Sequence, residues 1–186
     1  GERCTNGKCA FDHRSTAPGQ HGAARKKVGE YGKHLREKQK ARRTYGMLEK
    51  QFHSYFTKAT NMKGAAGENM LQLLERRLDN VVYRLGFAPS RTTARQLVTH
   101  AHFQVNGKNV DIASYQVKVG DVITVKENKQ DNKYFAQLKA TERTVNVPKW
   151  LALDADKLEG KVIALPARDD IDSQIAEHMI VELYSK

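Results

Sequence analysis

Asn106-Gly107 is the strongest hairpin signal in this chain. A two-residue type I′ turn needs positive φ at both central positions, and Asn-Gly tolerates that best among pairs of ordinary residues. With the turn there, Val105 pairs with Lys108 and Phe103 with Val110. Phe103, Val105, Val110 and Ile112 then pack against whatever precedes the hairpin, and a valine-rich strand runs to Lys126. What precedes it reads as two helices. Leu71, Leu74, Leu78, Val81, Val82 and Leu85 fall in a sector about 100° wide on one helix, ended by Gly86 and flanked by Arg77 and Arg84. A second helix, Arg91 to His100, has Ser90 as its N-cap and Ala94, Leu97, Val98 and Ala101 on one side. The predicted unit is two helices packed on a short twisted sheet.

The second helix sets Arg91 and Arg95 one turn apart, with Thr99 a turn further. Its N-terminus adds free N–H groups and the positive end of the helix dipole. Guanidinium forks match phosphate oxygens bidentately. His100, His102 and Lys108 extend that polar edge, and Arg77 and Arg84 on the first helix join it as candidate nucleic-acid contacts.

Charge makes the polyanion reading general. The 186 residues carry 32 Lys and Arg against 21 Asp and Glu, a net +11. Residues 1–58 hold 14 basic and 5 acidic side chains, 59–143 hold 13 and 8, and 144–186 hold 5 and 8. The polyanion therefore faces the first two thirds. An acidic membrane surface is the other candidate for such a chain. No apolar run approaches the length of a membrane span and no signal peptide is visible.

Gly1 to Gly32 reads as an irregular basic arm with Arg25, Lys26 and Lys27, either ordering on RNA or remaining a tail. Lys33, Arg36, Lys38, Lys40, Arg42 and Arg43 make a basic helix with phosphate as its natural partner, or else a solvated charged face. Leu48, Phe52, Tyr55, Phe56 and Ala59 make an amphipathic core helix. Beyond Lys126 the expectations are a polar loop over 128–133, a short helix over 134–141, a docking segment at Trp150, Leu151 and Leu153, and a strand over 161–165. An acidic turn (Asp169, Asp170, Asp172) and a last strand over Met179 to Tyr184 follow. That ending suits either a protein neighbour, through Asp169, Asp170, Asp172, Ile175, Met179 and Tyr184, or simple closure of the fold.

Cys4 and Cys9 are half of a tetrahedral zinc site or two free thiols. A phosphate-binding glycine loop, a nucleophile elbow and HExxH are all absent from the sequence, so no enzyme is expected. An RNA-modifying enzyme would need a catalytic domain that the remaining length does not supply.

The helix-loop-helix followed by "VNGKNVDIASYQVKVGDVI" resembles the small RNA-binding domain named after the fourth protein of the small ribosomal subunit. "PGQHG" (18–22), "LREKQKARRTYG" (35–46), "LLERRLDNVVYRLGFA" (73–88), "WLALD" (150–154) and "IVELYSK" (180–186) extend the resemblance, end to end, to the family of bacterial small-subunit ribosomal protein four. The resemblance implies an α+β fold with a mostly helical N-terminal domain. The expected division is residues 1–75 with 152–186, and 76–151. It implies binding to the 5′ domain of 16S ribosomal RNA, early assembly, and a place lining the channel by which mRNA enters. It also implies an interface with small-subunit protein five that influences decoding accuracy. The protein would be cytoplasmic and not a homo-oligomer, need no cofactor, and take zinc only in its complete form, from which this chain would be truncated at the N-terminus. A standalone RNA chaperone with the same domain is the alternative.

Overall fold

The computed structural model describes residues 6–24, 27–140, 146–171 and 174–185. A short turn of helix, α1 (Ala10–His13), precedes α2 (Glu30–Thr44), α3 (Glu49–Thr60), α4 (Ala66–Glu75), α5 (Leu78–Arg84) and α6 (Arg91–Thr99). Strands β1 (Phe103–Val105), β2 (Lys108–Asn109) and β3 (Val122–Val125) follow, then α7 (Glu127–Gln130) and α8 (Lys133–Ala140). The chain continues through β4 (Leu151–Asp154), β5 (Glu159–Val162), a 3₁₀ turn at Arg168–Asp170 and α9 (Glu177–Ser185). The class is α+β, helical first and sheet-based after.

The hairpin forms as its turn dictates. Asn106 and Gly107 take φ of 51° and 75°, and Val105 pairs with Lys108. The Val110 N–H donates to the Phe103 carbonyl at 3.3 Å. β1 then pairs β3, β3 pairs β5 and β5 pairs β4, all antiparallel, giving a five-stranded sheet in the order β2-β1-β3-β5-β4. Gly160 in β5 lies so close to the end of α5 that a Cβ would stand 2.3 Å from a Leu85 methyl, so a side chain there would force the buried Leu85 to repack. Ile112 is exposed instead of packed, because the chain leaves the ladder after Asn109 and its alternation ends.

Two apolar cores divide the chain. One joins α5, α6 and the sheet through Leu78, Val82, Val98, Phe103, Ile123 and Trp150. The other joins α3, α4 and α9 through Phe52, Phe56, Leu71, Leu74, Ile175 and Ile180. The β4–β5 hairpin completes the sheet, so residues 152–162 belong with the sheet core, not with the helical domain as expected.

Four local expectations are corrected. The apolar run Leu71–Leu85 is two helices, not one. The chain is extended at Arg77 (φ −68°, ψ 136°), where it bridges Gln116. The unpaired first-turn N–H groups of α5 then find carbonyls outside the helix: Leu78 donates to Tyr115 at 2.9 Å and Asp79 to Ala113 at 3.2 Å. The terminal segment is helix α9, not a strand. Ile180, Val181 and Tyr184 fall on one helical face and pack on the helical core, where tertiary contact overrides the β-propensity of "MIVELY". Leu48 is 76 % exposed at the N-cap of α3, ahead of the buried stripe that starts at Phe52. Part of the expected 128–133 loop is helical, as α7.

Candidate nucleic-acid interface

Helix α6 starts where Ser90 caps it, its hydroxyl accepting from the Thr93 N–H at 3.2 Å. Ala94 and Val98 anchor the helix in the sheet core. That leaves Thr92, Arg95 and Thr99 exposed, with Arg91 half-buried. Across from this strip, α2 ends at Tyr45-Gly46. Between them lies a groove of about 380 Å³ lined by Arg43, Thr44, Gly46, Arg91, Thr92 and Arg95, among others. The Arg95 guanidinium donates to the Gly46 carbonyl at 3.2 Å, tying the two halves of the molecule at the groove. Asp79 also lines it, but its carboxylate is held by Arg77 at 2.9 and 3.1 Å. The net field of the groove is that of its arginines.

The other cations on the predicted RNA face divide sharply. Arg77 is 1 % exposed. Its remaining nitrogen donates to the Tyr55 hydroxyl at 3.0 Å. Burial opposes its charge, but Asp79 and Tyr55 outweigh that and hold its pKa above the ordinary arginine value. Arg77 therefore leaves the phosphate-facing set. Arg84 pairs bidentately with buried Glu75, at 2.9 and 3.1 Å. Lys38 is buried and donates to Glu49 at 2.6 Å. Lys40 binds Glu37 at 3.1 Å and the Gln174 carbonyl. Arg42 donates to Gln39 at 2.8 Å. Arg84, Lys38 and Arg42 are held inside the fold, the latter two because α2 packs against α9 and meets Glu49 at the start of α3, while Lys40 stays exposed with its bonds at the surface. On α2, Lys33 is exposed beside Glu30 at 3.5 Å. Arg36 and Arg43 are exposed with no side-chain partner among the described residues.

His100 and Lys108 are exposed. His102 is half-buried against Phe135. Burial, then the charges of Lys129, His100 and Lys126, hold its pKa below the ordinary histidine value. Lys126 and Lys129 thus join a cationic edge that sequence reasoning missed. Only the return of β3 beside β1 brings them to the histidines, and nothing in their own spacing signals it.

Sequence comparison supplies the lineage. The family described as ribosomal protein S4/S9 N-terminal domain matches residues 1–75, and the S4 domain family matches 76–123. The small ribosomal subunit protein uS4 of Caldicellulosiruptor saccharolyticus is 62% identical over the whole chain and 89% of its own length. This chain belongs to the uS4 family. The uS4 proteins of Acetivibrio thermocellus and Heliobacterium modesticaldum are 61% and 58% identical over the same shares. All three names are those of ribosomal proteins rather than enzymes.

The remaining expected sites fare differently within this uS4 frame. Lys27 is exposed. Arg25, Lys26, Cys4 and Asp172 lie outside the described residues. Cys9 is half-exposed, and among the described residues no three His, Cys, Asp or Glu side chains come together as metal ligands. Ile175, 2 % exposed, and Tyr184, whose hydroxyl donates to Glu49 at 2.8 Å, are turned into the chain's own helical core rather than to a neighbour. Asp170 accepts from the Ala167 N–H at 3.1 Å and shapes the 3₁₀ turn. Asp169 is exposed and Met179 half-buried. Among the described residues no helix is long and apolar enough to cross a membrane.

Proposed function

We propose that this chain is a structural component of the small ribosomal subunit that clamps a multi-helix junction in the 5′ domain of 16S ribosomal RNA. The observation that carries this reading is the groove between α2 and α6. There Arg43 from the helical half and Arg91 and Arg95 from the sheet half face one opening, beside the N-terminus of α6. Guanidinium contacts to phosphate oxygens dominate such a complex, with shape giving specificity where two rigid halves must engage two RNA segments at once. Arg36, Lys27, Lys108, His100 and His102 supply further contacts, and so do Arg25 and Lys26. The struts Arg77, Arg84 and Lys38 fix the frame.

Early binding and nucleation of subunit assembly follow from such a clamp, since it would order an RNA junction before later proteins arrive. The uS4 relationship supports two further assignments: lining the mRNA channel, and an interface with small-subunit protein five. For the latter the chain offers exposed Asp169 and the outer side of α9 around Met179.

The test is a salt titration of binding to a transcript of the 16S 5′ domain, against an unrelated folded RNA of equal length. About eight phosphate contacts give a log–log slope of magnitude roughly 6–7, at ~0.7–0.9 per contact. A slope near ~1, or equal affinity for both RNAs, overturns the reading.

A further inference from the structure

We infer that Asn80 is a positioning residue for RNA binding: a buried amide that aims the Arg91 guanidinium into the groove while leaving its charge uncompensated. This rests on the proposed RNA-binding function of the groove.

Asn80 is 2 % exposed in the first turn of α5, too little for contact with solvent to explain a polar side chain there. Its Nδ2 donates twice, to the Glu75 carbonyl at 2.9 Å and to Glu75 Oε2 at 2.7 Å. Its Oδ1 accepts from Arg91 Nε at 2.7 Å. All three bonds fix the amide's orientation. A flipped amide would set oxygen against two acceptor oxygens and NH₂ against an N–H.

Glu75 cannot take the place of Asn80. Its carboxylate, fully buried, already accepts from the Tyr45 hydroxyl at 2.6 Å, from Arg84 at 2.9 and 3.1 Å, and from Asn80. That fills its roughly four acceptor positions. Burial and the Glu75 charge push the Tyr45 hydroxyl's pKa well up, so it stays a proton donor to that carboxylate. Arg84 neutralises the carboxylate, and the neutral amide relays orientation without relaying charge.

Arg91 differs from two arginines near it in the fold. Arg77 and Arg84 each meet a carboxylate with two nitrogens. Arg91 meets a carbonyl with Nε alone. Its plane is further held over the rings of Tyr83 and Tyr45, at 4.5 and 5.1 Å from their centroids. Among the described residues its two terminal nitrogens have no hydrogen-bond partner, so both remain for the bidentate grip on phosphate that guanidinium geometry favours. Tyr45 comes from the end of α2, Asn80 and Tyr83 from α5. The two halves of the molecule therefore share in setting this one side chain.

The experiment is a double-mutant cycle. Affinity for the 16S 5′-domain transcript is measured for the parent chain, Asn80→Ala, Arg91→Ala and the double variant, with circular dichroism on each. Arg91→Ala is expected to weaken binding about tenfold, and Asn80→Ala about threefold or more. The double variant should match Arg91→Ala alone, because Asn80 acts only through Arg91. Effects that multiply in the double variant, or an Asn80→Ala chain that binds as tightly as the parent, overturn the inference while leaving the RNA reading intact. An Arg91→Ala chain with unchanged affinity removes Arg91 from the RNA site, and that failure is separate. A second measurement needs no variant of Asn80. In the parent chain the Arg91 Nε–H should give a ¹⁵N resonance protected from solvent exchange, and exchange as fast as that of the exposed Arg36 overturns the proposal.

Discussion

Helix α2 carries six Lys and Arg residues between Lys33 and Arg43, and α6 carries only Arg91 and Arg95. From charge alone α2 is the stronger phosphate ligand. In the fold the order reverses. α2 is packed on α9 and faces Glu49 and Glu182 from neighbouring elements, and it has its own Glu30 and Glu37, so half of its cations end in internal bonds. α6 has no acidic residue of its own, and its arginines reach only a carbonyl and an amide. What a cation offers to RNA depends on the acceptors the fold brings to it, more than on how many cations its helix holds.

The comparison can be broken at its extremes. Arg77→Ala should destabilise the fold by about 3–5 kcal/mol, since it strands the buried Asp79 carboxylate. Arg95→Ala should change stability by no more than about 0.5 kcal/mol. Urea unfolding of both chains measures the contrast, and a stable Arg77→Ala chain with weakened RNA binding would reverse it. Ile180→Ala, which hollows the helical core under α9, should cost about 2–5 kcal/mol in the same assay. Arg43→Ala with Arg95→Ala should weaken binding to the 5′ domain by about ten- to a hundredfold. The salt slope should fall by about 0.7–0.9 for each phosphate that the variant no longer neutralises. Lys38→Met should leave RNA affinity within about twofold, because Lys38 is buried with its amine turned to Glu49, and an apolar chain there acts on folding rather than on the interface; a large drop would return Lys38 to the RNA face.

The smallest effect is a pH dependence at His102. Its folded pKa lies below the ordinary value near 6.5, so the unfolded chain takes up a proton first. Stability should decline as the pH falls through that value toward the folded pKa, and His102→Gln should flatten that part of the profile in thermal melts at pH 5 to 8. Phosphate beside His102 would favour the charged ring, so RNA affinity should rise over the same interval.

Much of this was legible in the residues themselves. Asn106-Gly107 states its own dihedrals, and Ser90 marks the start of α6 as a short-range signal. The stripe from Phe52 to Ala59 reads as core at its own spacing. What failed was whatever depends on distant acceptors. Nothing near Arg77 in sequence reveals that Gln116 will pull the backbone into an extended bridge there and bury the side chain beside Tyr55. Arg84 finds Glu75 nine positions earlier, across the break between α4 and α5. Met179 to Tyr184 reads as a strand until α2 and α4 offer a groove for a helical face.

Helix α9 has a consequence for the order of events during synthesis. The helical core needs Ile171, Ile175 and Ile180 to cover Phe52, Phe56 and Leu74, yet nearly a hundred residues or more separate the two sets, and the whole sheet core is translated in between. A growing chain can close the sheet core as soon as β5 emerges. Until α9 follows, α3 and α4 present bare aromatic and leucine side chains to a crowded cytosol. That interval is when this chain is most exposed to aggregation and to chaperone capture.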